Sequence, residues 1–210
     1  MQFRSIPVLF SWPSAGGILN YLYDLNSALD SRLWFANLVR MLRAEAKVDT
    51  LHIIAHSMGT FIVLDALSEL AKVGPVPGLS EIVMAAPDVD IDLYKTLVAN
   101  IRPRVRGMTL YASANDKALV ASRSAAGKPR AGDVFNGEPI LIPNIESIDV
   151  SAIGAEMFGL NHNTFASNRS LIDDIGRLVF SGVRPPHQRS PQIRCVPEGP
   201  ALPDYWRYVP

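Results

Sequence analysis

Two kinds of hydrophobic pattern alternate along this chain. Short, nearly continuous apolar runs are typical of buried strands, whereas apolar residues at every third or fourth position are typical of amphipathic helices. The runs predict strands over residues 7–13, 50–55, 81–87, 108–113 and 147–153. The periodic segments predict helices over residues 22–48, 58–73, 92–101, 118–124 and 168–180, with a break at Asp30 and Ser31 as an alternative for the first.

This alternation predicts the fold class. Apolar strands that alternate with helices indicate an α/β protein whose mostly parallel, doubly wound sheet carries helices on both faces. In such sheets ligands bind beyond the carboxyl ends of the strands. We therefore expect the functional side chains in the loops that follow strands.

The length of 210 residues fits one folded domain, which we place at residues 1–183, followed by a proline-rich tail at residues 184–210. Seven of the 27 tail residues are proline, so we expect no regular structure there. Its aromatic residues, Tyr205, Trp206 and Tyr208, are expected to dock on the domain surface. The irregular segment 117–144 either caps the site or simply connects two strands.

Composition and charge exclude several function classes. A hydrophobic fraction of 48% with 19% charged residues indicates a globular protein. Lys plus Arg and Asp plus Glu both number 20, so neither a nucleic-acid partner nor an anionic membrane surface is expected. Because Cys195 is the single cysteine, an internal disulfide and a cysteine-based zinc site are excluded.

Targeting and ligand motifs give a similarly plain picture. No apolar stretch approaches the roughly 20 residues of a membrane helix, and the first residues lack a signal-peptide core, which predicts a cytoplasmic protein as the chain is written. His52 and His56 are four apart but on a predicted strand, without a neighbouring acid. We find neither metal-ligand spacing nor a glycine-rich phosphate loop with its lysine, so we expect no metal and no cofactor.

The motif that carries chemistry is a serine between the second strand and the second helix. Ser57 has Ala55 two residues before it and Gly59 two residues after it. A sharp strand-to-helix turn needs small residues at both places, and it presents the serine as a nucleophile. Alanine replaces the commoner first glycine, so the motif gains its weight from the acid and the base that the later part of the chain supplies.

A nucleophilic serine needs a general base, and that base needs an acid to orient it. In doubly wound hydrolases the three residues follow the order serine, acid, histidine. His52 and His56 precede Ser57, and His187 lies in the tail. His162, in a polar loop between a strand and a helix, is therefore the predicted base.

Two aspartates are candidates for the acid. Asp116 follows the fourth predicted strand and is the first choice, because that strand is the expected neighbour of the His162 loop. Asp88 follows the third strand and is the alternative. Asp88 and Asp90 could instead cap the next helix, as aspartates before helices often do.

The backbone N–H of Met58 is the predicted first donor of an oxyanion hole, because it lies at the start of a helix. A second donor is expected from a loop after an earlier strand. No apolar strand with a glycine-rich loop precedes Pro7. The strand absent there would also leave an unpaired sheet edge.

Several motifs together resemble the bacterial α/β-hydrolase family catalogued as domain of unknown function 900, across residues 7–174. They are Ala55-His56-Ser57-Met58-Gly59, Ala85-Ala86-Pro87-Asp88, Tyr111-Ala112-Ser113-Ala114-Asn115-Asp116, Asn161-His162, Phe10-Ser11-Trp12-Pro13-Ser14, Tyr23-Asp24 and Ala166-Ser167-Asn168-Arg169-Ser170. The resemblance implies an α/β-hydrolase fold, shortened at its N-terminus by one strand and a His-Gly loop. It also implies an esterase- or lipase-like serine hydrolase with Ser57, Asp116 and His162 on the triad positions.

Two hypotheses about function result. The first is a serine hydrolase that acts on a small-molecule or lipid-like acyl substrate through an acyl-enzyme at Ser57. The second is a catalytically impaired or inactive hydrolase-fold module that binds or scaffolds a partner. The sequence predicts neither the natural substrate nor the oligomeric state.

Overall fold

Helices and strands alternate along the chain. The computed structural model describes residues 6–17, 20–76, 78–153, 169–199 and 201–210. The helices are α1 (Tyr21–Ala44), α2 (Gly59–Val73), α3 (Ile91–Ile101), α4 (Lys117–Ala126) and α5 (Arg169–Ser181). The strands are β1 (Leu51–His56), β2 (Leu79–Ala85), β3 (Gly107–Ala112), β4 (Val134–Phe135), β5 (Glu138–Pro139), β6 (Glu146–Asp149), β7 (Ile193–Val196) and β8 (Tyr205–Tyr208).

Within the described residues one six-stranded sheet organises the molecule, in the order β1-β2-β3-β6-β8-β7. The pairs β1–β2, β2–β3, β3–β6 and β6–β8 are parallel, and only β7 runs antiparallel, against β8. β4 and β5 form a separate small hairpin. The predicted α/β class with a mostly parallel sheet is confirmed, and β1, β2, β3 and β6 fall within two residues of the starts predicted for them.

Helices cover both faces of this sheet because side chains along a strand alternate in direction. On β2, Ile82 and Met84 pack in a core with α1, α2 and α3, while Val83 and Ala85 pack in a second core with α5. Nearly every residue of β2 and β3 is buried. This two-sided burial explains why these strands read as continuous apolar runs rather than as alternating ones.

The strand predicted over residues 7–13 is wrong. Residues 6–16 form neither helix nor strand, although the segment does pack against the domain. The ring of Phe10 meets the ring of Phe35 on α1 edge to face, with 5.2 Å between the ring centres. Pro7 and Pro13 remove two backbone donors, which disfavours a place in a hydrogen-bonded ladder.

The alternative of a break in the first helix is also wrong, since α1 runs without interruption from Tyr21 to Ala44. Ser31 lies within this helix, where its hydroxyl donates to the carbonyl of Ser27, 2.7 Å away, and so has a local partner. Although α1 has 24 residues, no helix in the described part of the chain is both long and apolar enough to cross a membrane.

The expectation that the tail lacks regular structure is wrong as well. β7 and β8 lie in the tail, and they extend the sheet beyond β6. Neither strand contains proline, because the tail prolines fall in the connections. Tyr205, Trp206 and Tyr208 are buried residues of β8 rather than side chains docked on the surface.

Buried carboxylates fix this arrangement near the amino ends of the strands. Glu81 on β2, Glu146 on β6 and Asp174 on α5 are all buried. The tail supplies their partners. Arg189 is fully buried and contacts Glu146 at 3.0 Å and Asp174 at 2.9 Å. Arg184 forms ion pairs with Glu81 and Glu146. Since an unpartnered buried carboxylate is strongly unfavourable, these arginines tie the tail to the sheet.

We expect Arg189→Met to lower the free energy of unfolding by about 3–5 kcal/mol, because it leaves two buried carboxylates without their shared partner. Urea denaturation of both proteins measures this difference. Lys72→Met is the matched control, since Lys72 pairs with Glu69 on the exposed surface of α2. An effect of Arg189→Met no larger than that of Lys72→Met would contradict the role given to this network.

Candidate active site

The predicted nucleophile occupies a sharp turn between β1 and α2. Ser57 is half-buried and has a left-handed backbone with φ of 51°. Its N–H donates to the carbonyl of Ala85 on β2 at 2.9 Å, so the ladder between β1 and β2 continues up to the serine. A left-handed conformation is unfavourable for a non-glycine residue and occurs where the surroundings impose it, often at functional sites.

Of the two small residues that the turn is predicted to need, the structure supports Ala55 but shows no steric need for Gly59. Ala55 is buried in β1, where a larger side chain would crowd the core. A β-carbon built on Gly59 would meet no atom within 4 Å, so close contacts alone do not require glycine there. The helix that follows the turn, α2, is anchored in the hydrophobic core, where its Leu64 and Leu67 are 0% and 1% exposed.

The backbone of Met58 lies where the predicted oxyanion donor should be. It immediately precedes the first residue of α2, so its N–H belongs to the helix end that attracts negative charge. The amides of Thr60 and Phe61 donate to the carbonyls of Ser57 and Met58, at 3.1 and 3.0 Å. Among the described residues the N–H of Met58 has no backbone acceptor.

Asp116, the predicted acid, is buried at the start of α4 and is 3% exposed. Its Oδ1 caps the helix by accepting from the amides of Ala118 and Leu119, at 2.8 and 3.0 Å. Both of these hydrogen bonds use Oδ1 of the carboxylate. Burial raises the pKa of Asp116 to about 6, and the nearby carboxylates of Asp133 and Asp88 add to this rise against the two amides.

Asp88, the alternative acid, is engaged elsewhere. Its Oδ1 lies 3.2 Å from Nε of Arg130 and accepts the hydroxyl of Ser122. Burial raises the pKa of Asp88, against the hydrogen bond from Ser122 and the charge of Arg130. Asp90, not Asp88, caps α3, because its side chain accepts from the first amides of that helix. These contacts favour Asp116 as the acid.

The ends of four neighbouring strands bring the predicted residues to one edge of the sheet. Ser57 follows β1, Asp88 follows β2, Asp116 follows β3, and Ser151 follows β6. His162 lies outside the described residues, so its predicted role as the base stays a prediction. The structure therefore gathers the predicted nucleophile and both candidate acids at the carboxyl ends of the strands, where parallel sheets bind ligands.

The buried ion pair between Arg130 and Asp88 at the carboxyl ends of the strands is not predicted from the sequence. Arg130 is 6% exposed, and besides Asp88 it reaches the hydroxyl of Tyr21 on α1 at 3.0 Å. Its backbone N–H donates to the carboxylate of Asp133 at 3.1 Å. No local pattern marks a buried arginine in a glycine- and proline-containing loop, and the partners Asp88 and Tyr21 of its guanidinium lie far away in the sequence.

The segment that carries Arg130 packs against the strand ends. The N–H of Gly132 donates to the carbonyl of Pro87, and the carbonyl of Gly132 accepts from Ser113, both at 2.9 Å. A β-carbon on Gly132 would lie 2.6 Å from the backbone of Ala86, so only glycine allows this close approach. This part of segment 117–144 thus connects β3 to β6 while lying beside the site.

We expect Ser57→Gly to be more stable than Ser57→Ala by about 1 kcal/mol, because both remove the hydroxyl but only glycine relieves the left-handed backbone. Urea denaturation measures the difference. The control pair is Ser124→Gly and Ser124→Ala on the exposed side of α4, where glycine should be the less stable variant by about 1 kcal/mol. The same sign at both positions would contradict the strain assigned to Ser57.

Comparison with known proteins agrees with this geometry. A family model described as "Alpha/beta hydrolase of unknown function (DUF900)" matches residues 1–179. Over 63 residues the chain is 38% identical to the uncharacterized protein alr1448 of Nostoc sp. (strain PCC 7120), a match that covers 30% of this chain and 16% of that protein. No solved structure matches the chain. Because the family model covers most of the sequence, the chain belongs to the DUF900 family of α/β hydrolases of unknown function.

Proposed function

We propose that this protein is a serine hydrolase of the esterase or lipase type. It cleaves an ester or related acyl bond of a small-molecule or lipid-like substrate through an acyl-enzyme at Ser57. One observation carries the proposal: the left-handed turn at Ser57 joins β1 to α2 at the edge of the sheet that also holds Asp116. Such a turn presents the serine hydroxyl beyond the end of its strand.

Acylation assigns a distinct role to each residue. Oγ of Ser57 attacks the substrate carbonyl carbon, and its proton passes to a ring nitrogen of His162. The oxyanion that forms accepts a hydrogen bond from the N–H of Met58. When the bond to the leaving group breaks, the departing oxygen takes the proton from His162.

Deacylation repeats these steps with water. His162 takes a proton from the attacking water, the oxyanion again faces Met58, and the acid product leaves as Ser57 regains its proton. Asp116 orients the ring of His162 and stabilises the imidazolium that forms in both halves of the reaction. Asp116 can do so only when it is ionised.

The second candidate is a binding or scaffold module with an impaired site. It is favoured by the structure before β1, where residues 6–16 form no strand that would lead into a loop with a second oxyanion donor. Loss of one such donor costs on the order of 10²–10³ in rate in a studied protease. The two candidates differ in whether Ser57 reacts.

We expect a fluorophosphonate probe to form a covalent adduct on Ser57, because the probe captures a serine that is activated as a nucleophile. Intact-protein mass spectrometry and peptide mapping would show one adduct in the wild type and none in Ser57→Ala. Hydrolysis of a short-chain aryl ester should disappear in the same variant.

Ser124→Ala is the control for this labelling, because Ser124 is an exposed serine on α4 that should not react. Absence of an adduct on Ser57, both in this chain and in a version extended by its upstream coding sequence, would sink the hydrolase proposal. That result would favour the scaffold module.

We expect Asp116→Asn to lower kcat by roughly 10³–10⁴-fold, as replacement of a triad acid by its amide does. In the wild type, activity should fall as the pH drops below about 6, because burial raises the pKa of Asp116 to about 6 and its ionised form is lost. Measurement of ester hydrolysis from pH 4.5 to 8 tests both statements.

The same pKa has an opposite consequence for stability. Since the pKa of Asp116 is higher in the folded than in the unfolded state, its contribution to stability is largest at low pH and is lost as the pH rises through about 6. Asparagine also caps helices well, so Asp116→Asn should be more stable than the wild type at pH 8, by about 1–3 kcal/mol. Asp92→Asn, at an exposed carboxylate on α3, is the control. Equal stability of Asp116→Asn and the wild type at pH 8 would contradict the burial cost.

A further inference from the structure

The loop that carries the proposed acid is fastened to the turn after β6. We call residues 113–116 the acid loop. The N–H of Ala114 donates to Oγ of Ser151 at 2.8 Å. The side-chain amide of Asn115 donates to the carbonyl of Ser151 at 2.9 Å. Ser151 therefore holds the two residues that directly precede Asp116.

Ser151 is itself held by a buried carboxylate. Its hydroxyl donates to Oδ1 of Asp149 at 2.6 Å, and its N–H donates to the same oxygen at 3.0 Å. Oδ2 of Asp149 accepts from Nε of Arg207 at 2.8 Å. Because the hydroxyl accepts from Ala114 while it donates to Asp149, its orientation is fixed from both sides.

Arg207 is fixed in turn by the elements around it. It lies on β8, beyond residues 1–179 that the family model matches. Its Nη2 donates to the carbonyl of Gly137 and to the hydroxyl of Tyr205, both at 2.8 Å. The guanidinium also lies over the ring of Tyr205, 5.5 Å from its centre. A planar guanidinium with partners in these directions has little freedom to move.

These contacts are not needed to align the strands. The N–H of Val150 already donates to the carbonyl of Ala112 at 2.8 Å, and residues 109–112 of β3 pair in register with residues 146–149 of β6. The strand ends are therefore joined without Ser151. What the bonds of Ser151 add is a fixed position for the acid loop, which lies beyond the last paired residues.

We propose that Ser151 is a positioning residue of the site, oriented by Asp149 and Arg207, which holds the acid loop and thereby keeps Asp116 in one position. The C-terminal tail thereby contributes to a site whose reacting groups lie in the family domain. The inference rests on the proposed function for its chemical meaning, but the fastening of the loop can be measured without turnover.

The first test compares variants by ester hydrolysis. Ser151→Ala should lower kcat about tenfold with KM within about twofold, because a misplaced catalytic group slows the reaction without weakening substrate binding. Ser151→Thr keeps the hydroxyl and should restore most of kcat. Arg207→Gln should fall between Ser151→Ala and the wild type. Arg194→Gln is the matched control, since Arg194 is an exposed residue of β7 that pairs in register with Arg207.

The second test measures hydrogen exchange at the amide of Ala114, which donates to the hydroxyl of Ser151, by NMR. Exchange should be about 3- to 10-fold faster in Ser151→Ala, as expected from the loss of one hydrogen bond, and close to wild type in Ser151→Thr and Arg194→Gln. Amides in the middle of β3 should be unchanged, which shows that the variant is folded.

The outcomes separate this inference from the proposed function. If neither this chain nor its extended version forms an adduct on Ser57, the proposed function fails, and the exchange rates alone decide whether Ser151 fastens the loop. Unchanged exchange at Ala114 in Ser151→Ala would overturn the inference. Faster exchange with unchanged kcat would also overturn it, because the fastening would then have no effect on the site. A loss of kcat that Ser151→Thr does not restore would do the same.

Discussion

The structure depends on how it neutralises carboxylates buried within the sheet. Glu81, Glu146 and Asp174 lie where water cannot solvate their charge. Two tail arginines, Arg184 and Arg189, supply the opposite charge. Such an arrangement adds little stability over an apolar core, but it is very sensitive to the loss of one member. We therefore expect the fold to depend on the tail.

The pairing of these carboxylates with the tail also affects the loops at the carboxyl ends of the strands. Once Arg184 and Arg189 hold the start of the tail, the next residues of the chain can add β7 and β8 beside β6. β8 then places Arg207 against Asp149 at the carboxyl end of β6. The same tail thus neutralises charge at the amino ends of the strands and supports the loops at their carboxyl ends, where the candidate site lies.

Most of the fold could be predicted because its signals are local. Strands buried on both faces read as apolar runs, and each helix shows its own periodicity. The strand predicted over residues 7–13 is wrong because this apolar run packs through side chains such as Phe10 and does not pair its backbone with another strand. The prediction of an irregular tail is wrong because the strands of the tail depend on partners that are distant in the sequence. Its prolines lie outside these strands, so the proline content says little about them.

The candidate site divides in the same way. The positions of Ser57 and Asp116 at the ends of strands could be predicted, because each closely follows an apolar run of the sequence. The pairs Asp88–Arg130 and Asp149–Arg207 could not, since each joins residues 42 or more positions apart and no local pattern marks either partner. His162 was proposed by the same reasoning about order as Asp116, and it falls outside the residues that the structure describes.

The environment of Asp116 sets stability against function at this site. Burial disfavours the charge of this carboxylate, and the two amides of α4 offset only part of that cost. A carboxylate that cost nothing to ionise would be solvated, and water would then weaken its effect on a neighbouring imidazole. The fold tolerates the unfavourable ionisation of Asp116 because other contacts already fix the ends of its strands. The left-handed turn at Ser57 adds a second unfavourable feature, at the end of β1, which β2 separates from β3. Two such features at one edge of a well-packed sheet are typical of a site kept for its chemistry rather than for its contribution to folding.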